Sequence, residues 1–194
     1  MRDPLLLDVP ESIQTARLDL RIPRPSDGVA VCEGITESLE ELRKFLGSLP
    51  WAANEPSIEA SETFCRRSAA QFMARGDFPF LLFERPTGRF VGATGLHRVD
   101  WGVPKIEVGY WRRTSAGGRG FVREAVAAVV LYAFVELKME RVELITDSEN
   151  WPSRRVAEAT GFRLEGVLRR DRRAPDGSLR DTCVYARLRD EQGA

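Results

Sequence analysis

The chain has 194 residues, which is enough to bury the core of one domain and too few for a second enzyme module. Apolar residues make up 43% of it and charged residues 30%, a composition typical of a globular protein and unlike that of a disordered or collagenous chain. Its 29 basic and 29 acidic side chains cancel, which argues against the broad positive field that nucleic acids or lipid surfaces attract. We therefore expect a single domain over residues 1–194, with no nucleic-acid partner and no membrane contact.

The cysteines and the apolar segments bear on where the protein works. Cys32, Cys65 and Cys183 lie far apart and form no paired spacing, which argues against a disulfide framework and against a zinc site. No apolar run approaches the roughly 18 residues of a membrane span, and residues 5–7 lack the flanks of a secretory signal. We expect a cytoplasmic protein that holds no metal ion.

The first part of the chain predicts one strand followed by helices. Apolar and charged residues alternate over 17–22, which predicts an opening strand. Apolar residues at helical spacing then predict helices over 26–36, 38–46 and 57–75. The Leu49-Pro50-Trp51 segment is expected to be a break between helices.

The middle of the chain predicts an antiparallel meander. Three runs with strand character occupy residues 78–83, 89–97 and 105–111, and turn residues separate them. Alternate residues of a strand face opposite sides of the sheet. Along the third run one side carries Ile106, Val108 and Tyr110, and the other carries Glu107, Gly109 and Trp111. Glu107 is therefore expected to point away from the main apolar face.

The remaining part of the chain predicts a helical crossover and a hairpin. A broad apolar stripe over 122–137 predicts a long helix packed on the sheet. A strand over 141–146 follows, and then a helix with Pro152 in its first turn and Gly161 just past its end. Residues 175–177 predict the turn of a closing hairpin. This order predicts an α+β fold, in which a mixed sheet has helices on both faces.

The segment Gly117-Gly118-Arg119-Gly120 is the first candidate binding element. It is expected to join the third meander strand directly to the long helix, and its glycines allow successive N–H groups to point at one spot. The start of a helix adds positive character, and Arg112 and Arg113 precede the segment. It is compatible with a phosphate site, although a plain tight turn is the default explanation for such a glycine-rich segment taken by itself. It is neither a P-loop nor a dinucleotide-binding turn.

Asn150 and Ser153 form the second candidate element. They are three residues apart, so they share one edge of the helix that begins there. Both residue types also favour the first turn of a helix for purely structural reasons.

The sequence resembles the GNAT superfamily of acyl-CoA-dependent N-acyltransferases, and most closely its RimJ/RimL branch, which acetylates N-terminal amines of proteins. The matching segments are TARLDLR at 15–21, LPWA at 49–52, FVGATGLH at 90–97, IEVGYW at 106–111, GRGFVREAV at 118–126, NWPSRRVAEATGF at 150–162, GVLRRDRRAPDGSLRD at 166–181 and VYARLRDE at 184–191. They follow the family's order over residues 15 to 191. The resemblance implies an α/β/α sandwich around a splayed, mostly antiparallel sheet of seven strands.

The resemblance also implies how acetyl-CoA is bound. The cofactor would lie between the strands at 106–111 and 141–146, with its pyrophosphate on the N–H groups of 118–122 and its pantetheine arm beside Asn150. The residues implied to contact it are Val108, Gly109, Tyr110, Trp111, Arg113, Gly117, Gly118, Arg119, Gly120, Phe121, Val122, Asn150 and Ser153.

The sequence departs from the family pattern at three positions. Gly117 and Val122 replace the usual first and last residues of the phosphate loop. Ala157 stands where many members carry a catalytic tyrosine. In the RimJ/RimL branch the residue at the Ser153 position is thought to hydrogen-bond the CoA sulfur and protonate the leaving thiolate, so the resemblance gives Ser153 that role.

The acceptor side follows from the chemistry of amines. An ammonium must lose a proton before it attacks a thioester, which calls for a carboxylate, and Glu107 is the best candidate unless it is merely an ion-paired surface group. A backbone N–H of residues 108–110 is expected to stabilise the developing oxyanion. Trp51 is a candidate wall of the acceptor pocket or, equally, an aromatic plug of the core. His97 is the only histidine, and its place at the end of a strand favours a structural or pocket-wall role over that of a catalytic base.

Two functions remain open from the sequence. The first is an acetyl-CoA-dependent N-acetyltransferase that works by direct attack of a primary amine, either a protein N-terminus or a small amine such as an antibiotic. No cysteine falls in a matching segment, which argues against an acyl-enzyme. The second is a catalytically weak CoA-binding or sensor module of the same fold. A homodimer is possible with either.

Overall fold

A computed structural model describes residues 3–174 and 176–191, and the elements named below are those of that part of the chain. The strands are β1 (Ser12–Gln14), β2 (Leu18–Arg21), β3 (Phe78–Glu84), β4 (Arg89–Asp100), β5 (Lys105–Arg112), β6 (Arg141–Asp147), β7 (Arg163–Arg173) and β8 (Leu179–Leu188). The α-helices are α1 (Gly28–Leu46), α2 (Pro50–Ala53), α3 (Ile58–Met73), α4 (Phe121–Val135) and α5 (Trp151–Ala159). Turns of 3-10 helix cover Pro4–Leu6, Thr114–Ala116 and Arg189–Glu191.

The described strands form one sheet with the order β1-β2-β3-β4-β5-β6-β8-β7. Each neighbouring pair is antiparallel except β5 and β6, which run parallel. The exception arises because α4 carries the chain back across the sheet between these two strands, as a parallel connection requires. The predicted meander and crossover are confirmed.

Helices cover the two faces of the sheet and bury two clusters of apolar side chains. The larger cluster joins α4, through residues such as Val126 and Val129, to Phe80 and Leu82 of β3. The smaller cluster joins Val31 of α1 to Leu81 of the same strand. Consecutive residues of β3 thus enter different clusters, as the alternation of a strand requires. The predicted α+β arrangement, with helices on both faces, is confirmed.

In the part of the chain that the structure describes the sheet has eight strands, and the expectation of seven is wrong. The additional strand is β1, which lies at the edge and pairs with β2 through Ile13 and Leu20. This strand has three residues, which are too few for an alternating pattern to be recognised in the sequence. Only pairing with β2 gives them strand geometry.

One helix, α1, replaces the two that were predicted over 26–36 and 38–46. Its apolar face continues through the expected break, because Ile35, Leu39 and Leu42 keep the helical spacing. Ser38, the first residue of the second predicted helix, is buried within α1, and its hydroxyl accepts a hydrogen bond of 2.9 Å from the backbone N–H of Thr114.

The Leu49-Pro50-Trp51 segment does not simply break the helices, because it begins the single turn of α2. Pro50 is its first residue, a position that suits the fixed φ of proline. The guanidinium of Arg43 donates hydrogen bonds to the carbonyl oxygens of Ala52 and Ala53, at 3.0 and 3.2 Å. These bonds satisfy groups that the end of a helix leaves free.

The last third of the chain follows the predicted order. α5 begins with Trp151 and Pro152, and Gly161 has a φ of 82° two residues after its end. β7 and β8 form the closing hairpin, in which Gly177 has a φ of 85°. Pro175, which was predicted to take part in that turn, lies outside the described residues. In the described residues we find no helix with the length and apolarity that a membrane crossing needs.

We predict that Gly28→Ala destabilises the protein, because α1 and α3 touch at this glycine. A Cβ there would lie 2.6 Å from the backbone nitrogen of Glu62 and 2.7 Å from its Cα. Overpacking of this kind costs roughly 1–3 kcal/mol of the free energy of unfolding. Urea denaturation measures the loss, and Gly166→Ala is the control because a Cβ there meets nothing within 4 Å. Equal unfolding midpoints for the two variants would contradict the prediction.

Candidate active site

The site begins where β5 and β6 separate. The two strands pair at three positions, the last being Glu107 with Glu143. β5 then continues to Arg112 and β6 to Asp147 without further pairing. The backbone groups of successive residues in a strand point alternately to its two sides. The Gly109 carbonyl accepts a hydrogen bond from the Thr94 hydroxyl of β4 and therefore points toward β4. The amides of its neighbours Val108 and Tyr110 face the opposite side, which is the gap.

A cleft of about 1180 Å³ opens at this gap. Residues of α1, α2, α3 and α5 or their ends and of strands β3 to β7 line it, including each candidate named for the acceptor side. Among the described residues its charged lining is five acidic side chains, Glu55, Glu59, Asp77, Glu107 and Asp171, and three basic ones, Arg67, Arg98 and Arg172. The cleft is large enough for a small ligand and has an excess of negative charge.

The glycine-rich loop precedes α4. Gly118 and Gly120 have φ values of 71° and 75°, in the left-handed region that favours glycine. In the part of the chain that the structure describes, the amides of Gly118, Arg119 and Gly120 donate to no protein acceptor. The first amides of α4 follow them, and a helix leaves these without an intrahelical partner. The loop therefore presents consecutive free N–H groups at the positive end of a helix dipole.

The loop does not follow β5 directly, as the sequence had indicated, because the 3-10 turn Thr114–Ala116 lies between them. This turn is held from α1. Glu37 accepts from the backbone N–H of Ser115 and from Nε of Arg113, each at 2.8 Å. Desolvation by burial raises the pKa of Glu37, but the hydrogen bonds from Ser115 and the charge of Arg113 outweigh it and lower the pKa to about 2.

The arginines around the loop already have partners in the protein. Arg113 is ion-paired with Glu37, and Arg112 lies 3.3 Å from a carboxylate oxygen of Glu41. Arg119 is ion-paired with Glu84, and its hydrogen bond holds the pKa of that carboxyl below its usual range. These side chains brace the loop, so the backbone amides are its uncommitted donors.

Ser153 lies in the first turn of α5, beside the gap. Asn150 caps that turn, since its Oδ1 accepts a hydrogen bond of 3.2 Å from the Ser153 amide. The Ser153 hydroxyl lies 2.8 Å from the hydroxyl of Tyr110, which also donates to the Ser153 carbonyl at 3.1 Å. Burial raises the pKa of Tyr110 to about 12, so its phenol keeps its proton near neutral pH.

Glu107 and Tyr110 point to opposite sides of the sheet, as the alternation predicted. Tyr110 packs against the cluster under α4, whereas Trp111 belongs to the cluster under α1. Glu107 shares the side of Trp111 and lies in the cleft, ion-paired with the largely exposed Arg98. The carboxylate is only 16% exposed, so it is not an ordinary surface group.

His97 lies opposite Glu107 in the pairing of β4 with β5. Its ring covers two glycines, since a Cβ on Gly95 would lie 2.7 Å from Nε2 and one on Gly109 would lie 3.5 Å from Cδ2. Its Nδ1 is 3.5 Å from a carboxylate oxygen of Asp77. The imidazole therefore lies flat on the sheet beside the gap, and not in the core.

Trp51 packs against other aromatic rings and also reaches the cleft. Its ring centroid lies 5.9 Å from that of Trp111, which in turn packs 5.7 Å from Phe90. Trp51 also lines the cleft. It therefore forms a wall of the cleft while it extends the apolar cluster under α1.

None of the three cysteines is among the residues that line the cleft. Cys65 and Cys183 are buried, and burial raises the pKa of the Cys65 thiol to about 12. Cys32 is half-buried and lies in a separate, shallow pocket on α1. Within residues 3–174 and 176–191, no group of three or more His, Cys, Asp and Glu side chains is placed to hold a metal ion.

The structure thus brings the candidates of β5 and α5, together with Trp51 and His97, to one cleft. The loop candidates at 117–122 are not part of the cleft lining, and Arg113 is turned toward α1. Sequence reasoning named Tyr110 for its backbone alone and missed its hydroxyl. It also missed the partners Arg98, Asp77 and Glu84. Each of these contacts joins residues on different elements, so no spacing in the sequence could have indicated it.

Comparison with known proteins gives a consistent result. The chain matches the family model described as an acetyltransferase (GNAT) domain over residues 17–163. It is 31% identical over 178 residues to the putative ribosomal N-acetyltransferase YdaF of Bacillus subtilis, and the match covers 90% of this chain and 92% of that protein. It is 27% identical over 113 residues to the ribosomal-protein-serine acetyltransferase of Escherichia coli, covering 58% of this chain and 62% of that protein.

Solved structures agree with these matches. RimJ of Mycobacterium smegmatis, in complex with a CoA-disulfide, has a TM-score of 0.82 at 26% identity, covering 97% of this chain and 88% of that chain. A structure described as a probable acetyltransferase has a TM-score of 0.84 at 27% identity, covering 93% and 98%.

We predict that Glu37→Gln destabilises the protein near neutral pH and that the difference from wild type fades in acid. The folded pKa of about 2 lies below the ordinary value of 4.5. A depressed pKa gives stability that is present above the ordinary value and is lost as the pH falls through the folded one. Urea midpoints of both proteins over this pH range measure the effect, with Glu40→Gln on the same helix as control. A difference that stays constant down to pH 2 would refute it.

Proposed function

Because the chain belongs to the GNAT acetyltransferase domain family, we propose that it transfers the acetyl group of acetyl-CoA to a primary amine, by direct attack and without an acyl-enzyme. The observation that carries the proposal is the unpaired stretch of β5 and β6. It leaves the edge of β5 open beside Ser153 in a cleft with more acidic than basic side chains, and the loop with its free amides follows β5 in the chain.

The residues present fit an acyl-CoA molecule. The amides of Gly118, Arg119, Gly120 and Phe121 would hold the pyrophosphate, since consecutive N–H groups at a helix start bind phosphate without needing side-chain charge. The departures at Gly117 and Val122 are compatible with this mode, because the donors belong to the backbone. The edge of β5 in the gap would pair with the amide groups of the pantetheine arm.

The open edge of β5 would also stabilise the charge that develops on the thioester oxygen. The amides of Val108 and Tyr110 face the gap, and the strand that carries them is fixed on its other side by pairing with β4. Donors fixed in this way need no reorganisation during the reaction. When bound, acetyl-CoA supplies the activated acyl carbon.

The amine would approach from the side of the cleft that contains Glu107 and His97. Glu107 would accept the proton that the amine must lose, directly or through water, and Arg98 holds its carboxylate in place. His97 and Trp51 would bound the acceptor. Direct attack is supported by the cysteines, because none of the thiols of Cys32, Cys65 and Cys183 lines the cleft.

Ser153 would act from the opposite side of the gap. Its hydroxyl would hydrogen-bond the sulfur and deliver a proton to it as the thiolate leaves. Asn150 fixes the turn that carries it, and the side-chain NH2 of Asn150 would contact the pantetheine arm.

The acceptor that we propose is the N-terminal amine of a peptide or protein. The names of the two curated relatives, which refer to ribosomal proteins, support this choice. The acidic excess of the cleft lining supports it further, because it attracts an ammonium group. The compartment that we propose for the reaction is the cytoplasm, where such acceptors are made, and a homodimer stays a prediction.

We predict that Gly118→Ala weakens acetyl-CoA binding about tenfold. A Cβ at 118 meets no atom within 4 Å, but the φ of 71° disfavours an L residue by roughly 1–2 kcal/mol and would turn the loop amides away. The matched control is Gly88→Ala, at a φ of 65° with equally open surroundings, in the turn between β3 and β4. Isothermal calorimetry with acetyl-CoA measures both. Equal affinities in the two variants would rule out the loop as the phosphate site.

We predict that Ser153→Ala and Glu107→Gln each lower kcat about a hundredfold, the usual contribution of a positioned acid or base. The assay follows thiol release with peptides that have a free N-terminal serine or alanine, and mass spectrometry locates the acetyl group. Ser68→Ala, a buried serine of α3 outside the cleft lining, is the control.

Two outcomes would change the proposal. A rate for Ser153→Ala equal to that of wild type would remove Ser153 from the mechanism. Acetyl-CoA binding without thiol release from any amine would favour the sensor module instead.

A further inference from the structure

We propose that the Tyr110 hydroxyl is a positioning group that aims the Ser153 hydroxyl at the thioester sulfur. The inference rests on the proposed function and adds to it a residue whose side chain had no role there. Tyr110 is placed on β5 and Ser153 on α5, so their contact crosses the gap between the strand and the helix.

The contact is close and has two parts. The Tyr110 hydroxyl lies 2.8 Å from Ser153 Oγ and 3.1 Å from the Ser153 carbonyl oxygen. Both distances lie within the ordinary range of hydrogen bonds. A single phenol therefore reaches the side chain and the backbone of the same residue.

The phenol has one proton for two acceptors on Ser153, and it shares that proton between Oγ, the nearer oxygen, and the carbonyl oxygen. Each hydroxyl has one proton to donate and can accept at its oxygen. When the Tyr110 proton is given to Ser153 Oγ, the serine proton is free to point into the gap. If the phenol were ionised it could only accept, and it would draw the serine proton away from the gap.

Burial keeps the phenol in the donating form. It raises the pKa of Tyr110 to about 12, and the nearby hydroxyl of Tyr185 contributes in the same direction. Tyr185 is itself engaged, since its oxygen accepts from Arg154 at 3.1 Å and lies 3.2 Å from Glu158. Tyr110 thus remains a donor over the whole pH range in which an amine can react.

The transfer step balances without another reagent. The amine nitrogen forms its bond to the acyl carbon, the carbon–sulfur bond breaks, and its electron pair goes to sulfur. Nitrogen loses one proton and sulfur gains one. Ser153 passes its proton to sulfur and regains one from solvent, Glu107 takes the proton of the amine and releases it to solvent, and Tyr110 holds the serine oxygen in place and stays protonated.

The test is Tyr110→Phe, which removes one oxygen atom and keeps the ring that packs under α4. The matched control is Tyr132→Phe, because Tyr132 is a buried tyrosine whose hydroxyl donates to the Pro10 carbonyl at 2.9 Å, outside the cleft lining. Thermal unfolding of both variants separates loss of stability from loss of activity. Steady-state kinetics are measured with acetyl-CoA and an acceptor peptide on both variants, on Ser153→Ala and on the Tyr110→Phe/Ser153→Ala double variant.

We expect Tyr110→Phe to lower kcat about tenfold, the rate equivalent of one hydrogen bond, and to leave the KM for acetyl-CoA unchanged. We expect Tyr132→Phe to keep the wild-type kcat. In the Ser153→Ala background the Tyr110 substitution should have no further effect, because its target oxygen is gone.

Three results would overturn the inference. One is an unchanged kcat in Tyr110→Phe. Another is a raised KM for acetyl-CoA with kcat preserved, which would indicate that the tyrosine only holds α5 in position. The third is a full tenfold loss on top of Ser153→Ala. A wild-type protein that transfers no acetyl group would overturn the proposed function and this inference with it, whereas the three results above concern Tyr110 in an active enzyme.

Discussion

The pairing of β5 with β6 ends after three residues, and the rest of the site depends on this divergence. Both strands are fixed on their outer sides, β5 by β4 and β6 by β8, so the gap cannot close by moving either one. The backbone groups that a continuous sheet would use internally are left for a ligand. Unpaired N–H and C=O groups on a strand edge cost free energy when they are buried. This favours binding of a ligand whose own amide groups can pair with them.

The gap also divides the chemistry between two faces of the sheet. Tyr110 and Ser153 lie on the side covered by α4 and α5, and Glu107 and His97 lie on the side of α1 and α3. An acyl group held in the gap would meet a proton donor on one side and a proton acceptor on the other. Alternation along β5 is sufficient to create this division, because Glu107 and Tyr110 are an odd number of residues apart.

Ion pairs between arginine and glutamate hold the loop that precedes α4. Glu37 of α1 fixes the 3-10 turn, and Glu84 of β3 holds Arg119. Both carboxyls have lowered pKa values, which shows that their charged forms are favoured in the folded chain. The side chains that seemed suited to phosphate thereby support the loop, and the free amides between them are left as donors.

The sequence by itself determined the order of elements, the crossover through α4 and the side of the sheet on which Glu107 lies. It could do so because these features depend on local periods of apolar residues and on turn residues such as Gly161 and Gly177. Resemblance of the sequence to one family also assigned Asn150, Ser153 and the loop to one binding site. The tertiary structure alone decided that β1 is a strand, that α1 continues through Ser38, and that Tyr110 meets Ser153. Each of these depends on a contact between residues far apart in the chain, and such contacts leave no periodic trace in a single sequence.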